Sequence, residues 1–425
     1  MNTIPFKSAV LALTIAVFAP ASFAQLAIPS DGSDGALIVT SNRVIDLSQA
    51  VTGAWSDNNA ANAGKGIYDS NQWAVVFKYS SVLITNGATL SFANHGSHAP
   101  VVWLVNGNVT IYANCAINVD GNIGVAPPGL AEPGPGGFRA GTSCFTSGIV
   151  EGPGFGPGGG QIVVYNSANR YGGNGSYGDL GSAGSTTYGN PSLIPLIGGS
   201  GGAGGAQYNT PGTWYGGGGG GGAILIASAG TILVVGNIHA NGGASGSGGG
   251  GGSGGGIRLV CNSIAGTGVV QCLGGSGTET GGVGRIRLER VTSSGSLQIY
   301  PDPSIVPLQA GDTPLIWLPT NGPTARIVSI NSLNAPSDPR SSFGTYGPDL
   351  TVPQVTNITV IIETANAESA SVVKVRAAPR ANGSYSESIA TLTQTNSLSP
   401  LVLRWTASIP VKNGFSAVQA RVIRP

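Results

Sequence analysis

Between Gly216 and Glu289 the apolar and polar positions fall into a repeating order. Three apolar runs each emerge from a glycine tract: Gly221-Gly-Ala-Ile-Leu-Ile-Ala227, Gly255-Gly-Ile-Arg-Leu-Val260 and Gly284-Arg-Ile-Arg-Leu-Glu289. Their first isoleucines, Ile224, Ile257 and Ile286, recur at intervals of roughly thirty residues, the self-similarity of a stacked-repeat architecture. A second frame repeats behind the first. Gly236-Asn-Ile-His-Ala-Asn-Gly-Gly243 aligns without gaps on Gly268-Val-Val-Gln-Cys-Leu-Gly-Gly275, and Ile117-Asn-Val-Asp-Gly121 fits the same frame.

Strands send alternate side chains to opposite faces. The frame therefore places Ile117/Val119, Ile238/Ala240 and Val270/Cys272 in an inward apolar column, with Asn118, His239 and Gln271 in an outward polar one. The same parity turns Ile257, Leu259, Ile286 and Leu288 inward and leaves Arg258 and Arg287 exposed. Strands in register that advance one coil at a time predict an all-β parallel β-helix, a solenoid in which each rung covers its neighbour.

The remaining chain divides around that core. Residues 1–24 read as an export signal, with Lys7, an apolar run from Ala9 to Ala19 and a small-residue cleavage site at Ser22-Phe-Ala24. Residues 25–73 are polar and irregular and predict a cap over the first rung. The solenoid is expected over 74–295, with a long insertion at 122–222 dominated by Gly, Pro, Ser, Asn and Tyr. Such a segment reads as flexible excursions from the solenoid, with side-by-side polyproline-II packing of glycine tracts as the alternative. After about Ser296 glycine falls away and strand-like runs recur, among them Leu315 to Leu318, Ile358 to Glu363, Ser371 to Ala377 and Val418 to Ile423. Seven short strands without cysteine predict a β-sandwich of fibronectin-III type over 296–425.

Charge narrows the function. With 19 Lys plus Arg against 18 Asp plus Glu the chain has a net charge of +1, which excludes the basic footprint of a nucleic-acid binder. No apolar run after the signal approaches the length of a membrane-spanning helix. Four cysteines in an oxidising compartment favour pairing, and the rung frame points to Cys261–Cys272 and Cys115–Cys144, four buried free thiols being the alternative.

Glycine abundance explains most motif matches. Gly198-Gly-Ser-Gly-Gly202 lacks the strand and helix of a nucleophile elbow, and Gly154-x-Gly156-x-x-Gly159 contains Pro157 and opens no helix. Asp120, Glu279 and Glu289 stand as isolated carboxylates, whereas glycoside hydrolysis needs a pair. His95-Gly-Ser-His98 reads as an exposed loop pair and not as half a metal site. No catalytic, metal or cofactor site is expected.

At the level of the "AILIAS" run (Ala223 to Ser228), "IRLV" (Ile257 to Val260), "ANGG" (Ala240 to Gly243) and "GRIRLE" (Gly284 to Glu289), the chain resembles a loosely defined group of exported bacterial glycine-rich β-helix proteins. The resemblance covers about Gly35 to Glu289 and implies architecture more than activity. The expected function is a non-enzymatic surface or extracellular protein, adhesive or structural, in contact with glycans or other cell-surface material, with the periplasm as the alternative location. Trp214, Tyr215, Tyr208 and Tyr188, in the glycine-rich loops, are the expected contact residues, since aromatic rings pair a flat apolar face with a polar tip. A carbohydrate-active β-helix enzyme and a matrix subunit self-associating through solenoid ends are the alternatives.

Overall fold

The computed structural model describes residues 25–126, 129–143, 151–164, 169–184, 186–207, 215–340, 347–353, 355–381, 383–396 and 401–425. The expected export signal, Cys144, Tyr208 and Trp214 lie outside these residues. The fold is all-β; the helical elements among the described residues are two single 3-10 turns, Leu47–Gln49 and Ala60–Asn62. No helix among them is long and apolar enough to cross a membrane.

From Gly35 to Pro307 the strands belong to two sheets, one of ten strands and one of six, apart from a small antiparallel sheet of Ile162–Val164, Asn169–Gly172 and Ala206–Gln207. Ala223–Val234, Gly256–Gly266, Arg285–Ser293 and Ser304–Pro307 follow one another in parallel in the larger sheet. Ala116–Asn118, Asn237–His239, Val269–Gln271 and Gln298–Tyr300 do so in the smaller. The register matches the repeat: Ile224 faces Ile257, which faces Ile286, and Ile117, Ile238, Val270 and Ile299 share one row. The larger sheet is mixed, because Ile67–Asp69 pairs antiparallel with Ala74–Ile84.

Ile238, Ala240, Val270, Ile257, Leu259, Ile286 and Leu288 are all buried in one apolar cluster that both sheets enclose. Each large aliphatic side chain there contributes about 2 kcal/mol by leaving water. The outward set departs from expectation. Arg258 points away from that cluster but is only 1% exposed, because the run Leu315 to Leu318 lies across it. That run forms no strand; Ile316 and Trp317 pack on the outer face of the sheet. Arg258 Nη2 donates to the Leu315 carbonyl at 2.6 Å and its Nε to Glu289 at 2.9 Å, and Arg287 donates to the same carboxylate. Glu289 is thus half of a buried ion network. His239, Gln271 and Arg287 are partly covered.

Within the insertion, the glycine tract at its end follows the alternative of side-by-side polyproline-II packing, while Ile162–Val164, Asn169–Gly172 and Ala206–Gln207 form a small antiparallel sheet. Backbone N–H groups of the tract at 216–223 donate to neighbours in strict rotation. Gly216, Gly219 and Gly222 donate to Val125, Asn122 and Val119; Gly217, Gly220 and Ala223 to Gly141, Phe138 and Pro135; Gly218 and Gly221 to Gly250 and Ser253. A partner that returns every third residue requires a threefold extended helix, the polyproline-II geometry, which forms no internal hydrogen bonds and so turns all its polar groups outward. The acceptor numbers fall by three in the first two neighbours and rise by three in the third, so the tract runs antiparallel to two segments and parallel to one. A Cβ at Gly217, Gly218 or Gly220 would fall inside the carbonyl oxygens of Gly202, Gly243 and Gly199, which is why glycine occupies this layer.

The expected Cys261–Cys272 bond is absent, and Cys115, Cys261 and Cys272 are buried free thiols. Both side chains do face the common interior, but at different depths along it. Cys272 Sγ lies beside the backbone of Ile257 and the carbonyl of Arg285, at the entry of the larger sheet's strands. Cys261 sits four residues further along its strand, about 13 Å at 3.3 Å per residue, beyond the reach of a disulfide.

The C-terminal part forms two antiparallel sheets. One contains Thr324–Ile330, Leu333–Asn334, Asn357–Ala365, Thr391–Asn396 and Val402–Pro410; the other contains Val372–Pro379, Ser386–Ile389 and Ser416–Ile423. Ile358, Val360, Ile362, Leu403 and Trp405 of the first pack on Val373, Val375 and Ala377 of the second. Backbone and arginine donors fasten the three-stranded sheet to the glycine-rich layer: Gly383 N–H to the Glu151 carbonyl and Arg376 Nη1 to the Gly156 carbonyl at 3.1 Å.

Candidate functional site

Where these sheets meet the rest of the chain, a cleft of about 1130 Å³ remains. Its volume lies just above the roughly 300–1,000 Å³ of ordinary small-ligand pockets. One wall comes from the stack and the glycine-rich layer, with Tyr68, Trp73, His98, Phe138 and Phe155; the other comes from the C-terminal sheets, with Lys374, Arg376, Tyr385, Gln419 and Arg421. Period-two alternation builds the second wall. Val373, Val375 and Ala377 enter the apolar cluster, so Lys374 and Arg376 take the opposite face. Antiparallel pairing sets Arg421 opposite Lys374, Gln419 opposite Arg376, and Glu387 on the far side of Arg376.

The stack-side wall is held by a polar chain. Tyr68 donates to Asp338 Oδ1 at 2.5 Å, its ring stacks on His95 at 4.1 Å, and Arg340 lies 5.0 Å from the Tyr68 ring centre. His95 Nδ1 is 2.8 Å from Ser97 Oγ, and Trp73 Nε1 donates to the Ser97 carbonyl at 3.0 Å. The expected exposed histidine loop is therefore a covered one. Burial, reinforced by Arg139 and His95, pushes His98 down to about 3; burial, helped by Asp338, pushes the Tyr68 hydroxyl up to about 12. Both groups are neutral at pH 7, and the charges on this wall, Arg139 and Asp338, are paired with Glu132 and Arg340.

On the opposite wall Arg376 lies 3.7 Å from the Tyr385 ring centre, a close cation–π contact that orients both. Lys374 Nζ and Arg376 Nη2 bind the two oxygens of Glu387 at 2.9 and 3.2 Å. Arg421 donates to the Thr187 carbonyl and to Thr186 Oγ1.

The expected contact residues fare differently. Tyr188 is only 4% exposed; its hydroxyl donates to the Gly198 carbonyl at 2.6 Å and its ring packs on Tyr177. It is a structural plug and not a contact residue. Tyr215 is 42% exposed and is the expected residue that remains on a surface. Asp120, isolated in the sequence, accepts from the Asn241 backbone and pairs with His239 Nδ1 at 2.8 Å on the outer face of the smaller sheet. No group of three or more His, Cys, Asp or Glu suited to a metal gathers among the described residues.

The cleft residues were missed because their wall exists only through pairing of strands some forty residues apart. The signal available was the alternation in Val372-Val-Lys-Val-Arg376, two cations on one face of an otherwise apolar strand. The chain matches no family model, no curated protein and no solved structure.

Proposed function

We propose that this chain is a non-catalytic exported protein of the cell surface or extracellular space, structural or adhesive in role, that holds glycan chains in the cleft. In this reading the two parallel ladders are coils of a β-helix, the C-terminal sheets are a fibronectin-III-like sandwich, and the glycine layer between them is a rigid, uncharged spacer. The observation that carries the proposal is the cleft itself, which brings Trp73, Phe138 and Tyr385 together with hydrogen-bonding groups in one lining. Aromatic faces flanked by polar groups suit sugar rings, whose two faces are apolar and whose edges are hydroxylated. Tyr215, with Tyr208 and Trp214 near it in sequence, is a second contact region.

A glycan array with the mature protein tests this. Binding is expected, weakened at least tenfold by Tyr385→Ala with little change in thermal stability. The His239–Asp120 pair favours the enzyme reading, since a carboxylate that orients an imidazole equips it for proton transfer. Polysaccharide turnover abolished by His239→Ala would replace the proposal.

A further inference from the structure

The cleft's two walls differ in charge, and the difference bears on which glycan fits. On the three-stranded sheet Lys374 and Arg376 share a single carboxylate, Glu387, and Arg421 of the neighbouring strand hydrogen-bonds to no acid among the described residues. Lys374 and Arg421 stand directly opposite each other on neighbouring strands, a like-charge arrangement that costs stability. Arg421 is partly buried, and its hydrogen-bond partners are the neutral oxygens of Thr186 and Thr187. Two bonds engage only part of a guanidinium's five donors. Beside it, two residues along on the same strand face, the Gln419 side-chain carbonyl oxygen is buried with no partner among the described residues. The other cleft arginines have acids of their own: Arg139 pairs with Glu132 and Arg326 with Glu363. Like-charge crowding and under-satisfied polar atoms thus coincide at one end of one wall, where an arriving anion would relieve the first and a sugar hydroxyl the second.

We propose that this end of the cleft is a subsite for the carboxylate of an acidic glycan, with Arg421 and Lys374 binding the carboxylate and Gln419 accepting from an adjacent hydroxyl. The assignment rests on the glycan reading above and narrows it to chains of uronic-acid type. A guanidinium meets a carboxylate with two parallel hydrogen bonds, which a neutral sugar cannot match. The partial cover over Arg421 protects that contact from the screening that weakens surface pairs.

The test is titration calorimetry of the mature protein with polygalacturonate, with the same polymer fully methyl-esterified, with neutral dextran and with dextran sulfate. Polygalacturonate is expected to bind, the methyl ester at least tenfold more weakly. Arg421→Gln should lower polygalacturonate affinity about tenfold and leave dextran unchanged. Lys374→Gln, at a more exposed position, should lower it severalfold and serves as the second variant if Arg421→Gln fails to fold. Equal affinity for acid and ester, or no effect of either variant, overturns the carboxylate subsite and leaves the glycan reading standing. Binding of dextran sulfate alone overturns the carboxylate assignment in favour of a sulfated chain. Binding of none of the four polymers overturns the subsite and, with a blank glycan array, the glycan reading too.

Discussion

The stacked sheets and the glycine-rich layer beside them are made by the same passes of the chain, yet they are held together by opposite means. In the stack, rows such as Ile117–Ile238–Val270 fill the interior with side chains and the backbone serves as a ladder. In the layer the interior is backbone alone: Gly217 to Gly222 touch neighbours through N–H and carbonyl groups, with no room for a methyl. The lesson is that glycine density has two meanings. A tract whose donors find partners in rotation is a packed element, and composition alone does not separate it from a loose linker.

That contrast predicts mutations of opposite sign in the two regions. The largest effect is expected from adding carbon to the layer: Gly218→Val drives a branched side chain into the Gly243 backbone, which cannot yield without breaking its own bonds. Overpacking there should exceed about 5 kcal/mol, above the usual range for cores, and appear as loss of soluble folded protein. A variant that folds with an unchanged melting temperature would mean the layer is loose. Removing carbon from the stack comes next. Ile257→Ala opens a cavity between Ile224 and Ile286 and should cost about 4 kcal/mol in denaturant unfolding.

The covered outer face sharpens the comparison further. Arg258→Ala strips Glu289 of its buried partner and frees the carbonyls of Leu315 and Ile316, at a cost of about 3 kcal/mol. Replacing both members, Arg258→Met with Glu289→Leu, should recover much of this, because a buried ion pair is worth little more than an apolar pair in its place.

The smallest effect concerns acid. Folding holds His98 neutral down to about 3, whereas the unfolded chain takes up its proton near 6.5. The unfolded state therefore binds more protons between these values, and stability falls as pH drops through that window. His98→Asn should leave stability at pH 8 nearly unchanged while reducing the loss on going to pH 5 by about 2 kcal/mol. Equal losses in both proteins, followed by urea unfolding at the two pH values, would place the acid sensitivity elsewhere.

Periodicity by itself determined the all-β class, the register of the repeating parallel strands and every inward position tested, because alternation and a fixed repeat are local properties that burial must respect. It also placed most C-terminal strands. What it could not decide was who covers whom. Arg258 has outward parity and is buried because a segment nearly sixty residues later crosses it. Cys261 and Cys272 share the inward parity and stay apart, since parity names a face and not a depth along it. Tyr188 sits in a glycine-rich loop like Tyr215, but only folding of the loop against Tyr177 and Gly198 hides one of the two. The cleft depended on tertiary structure altogether. Its charged wall arises when Val372–Pro379 pairs with Ser416–Ile423 and the resulting sheet meets the glycine layer, contacts between distant segments that no local pattern encodes.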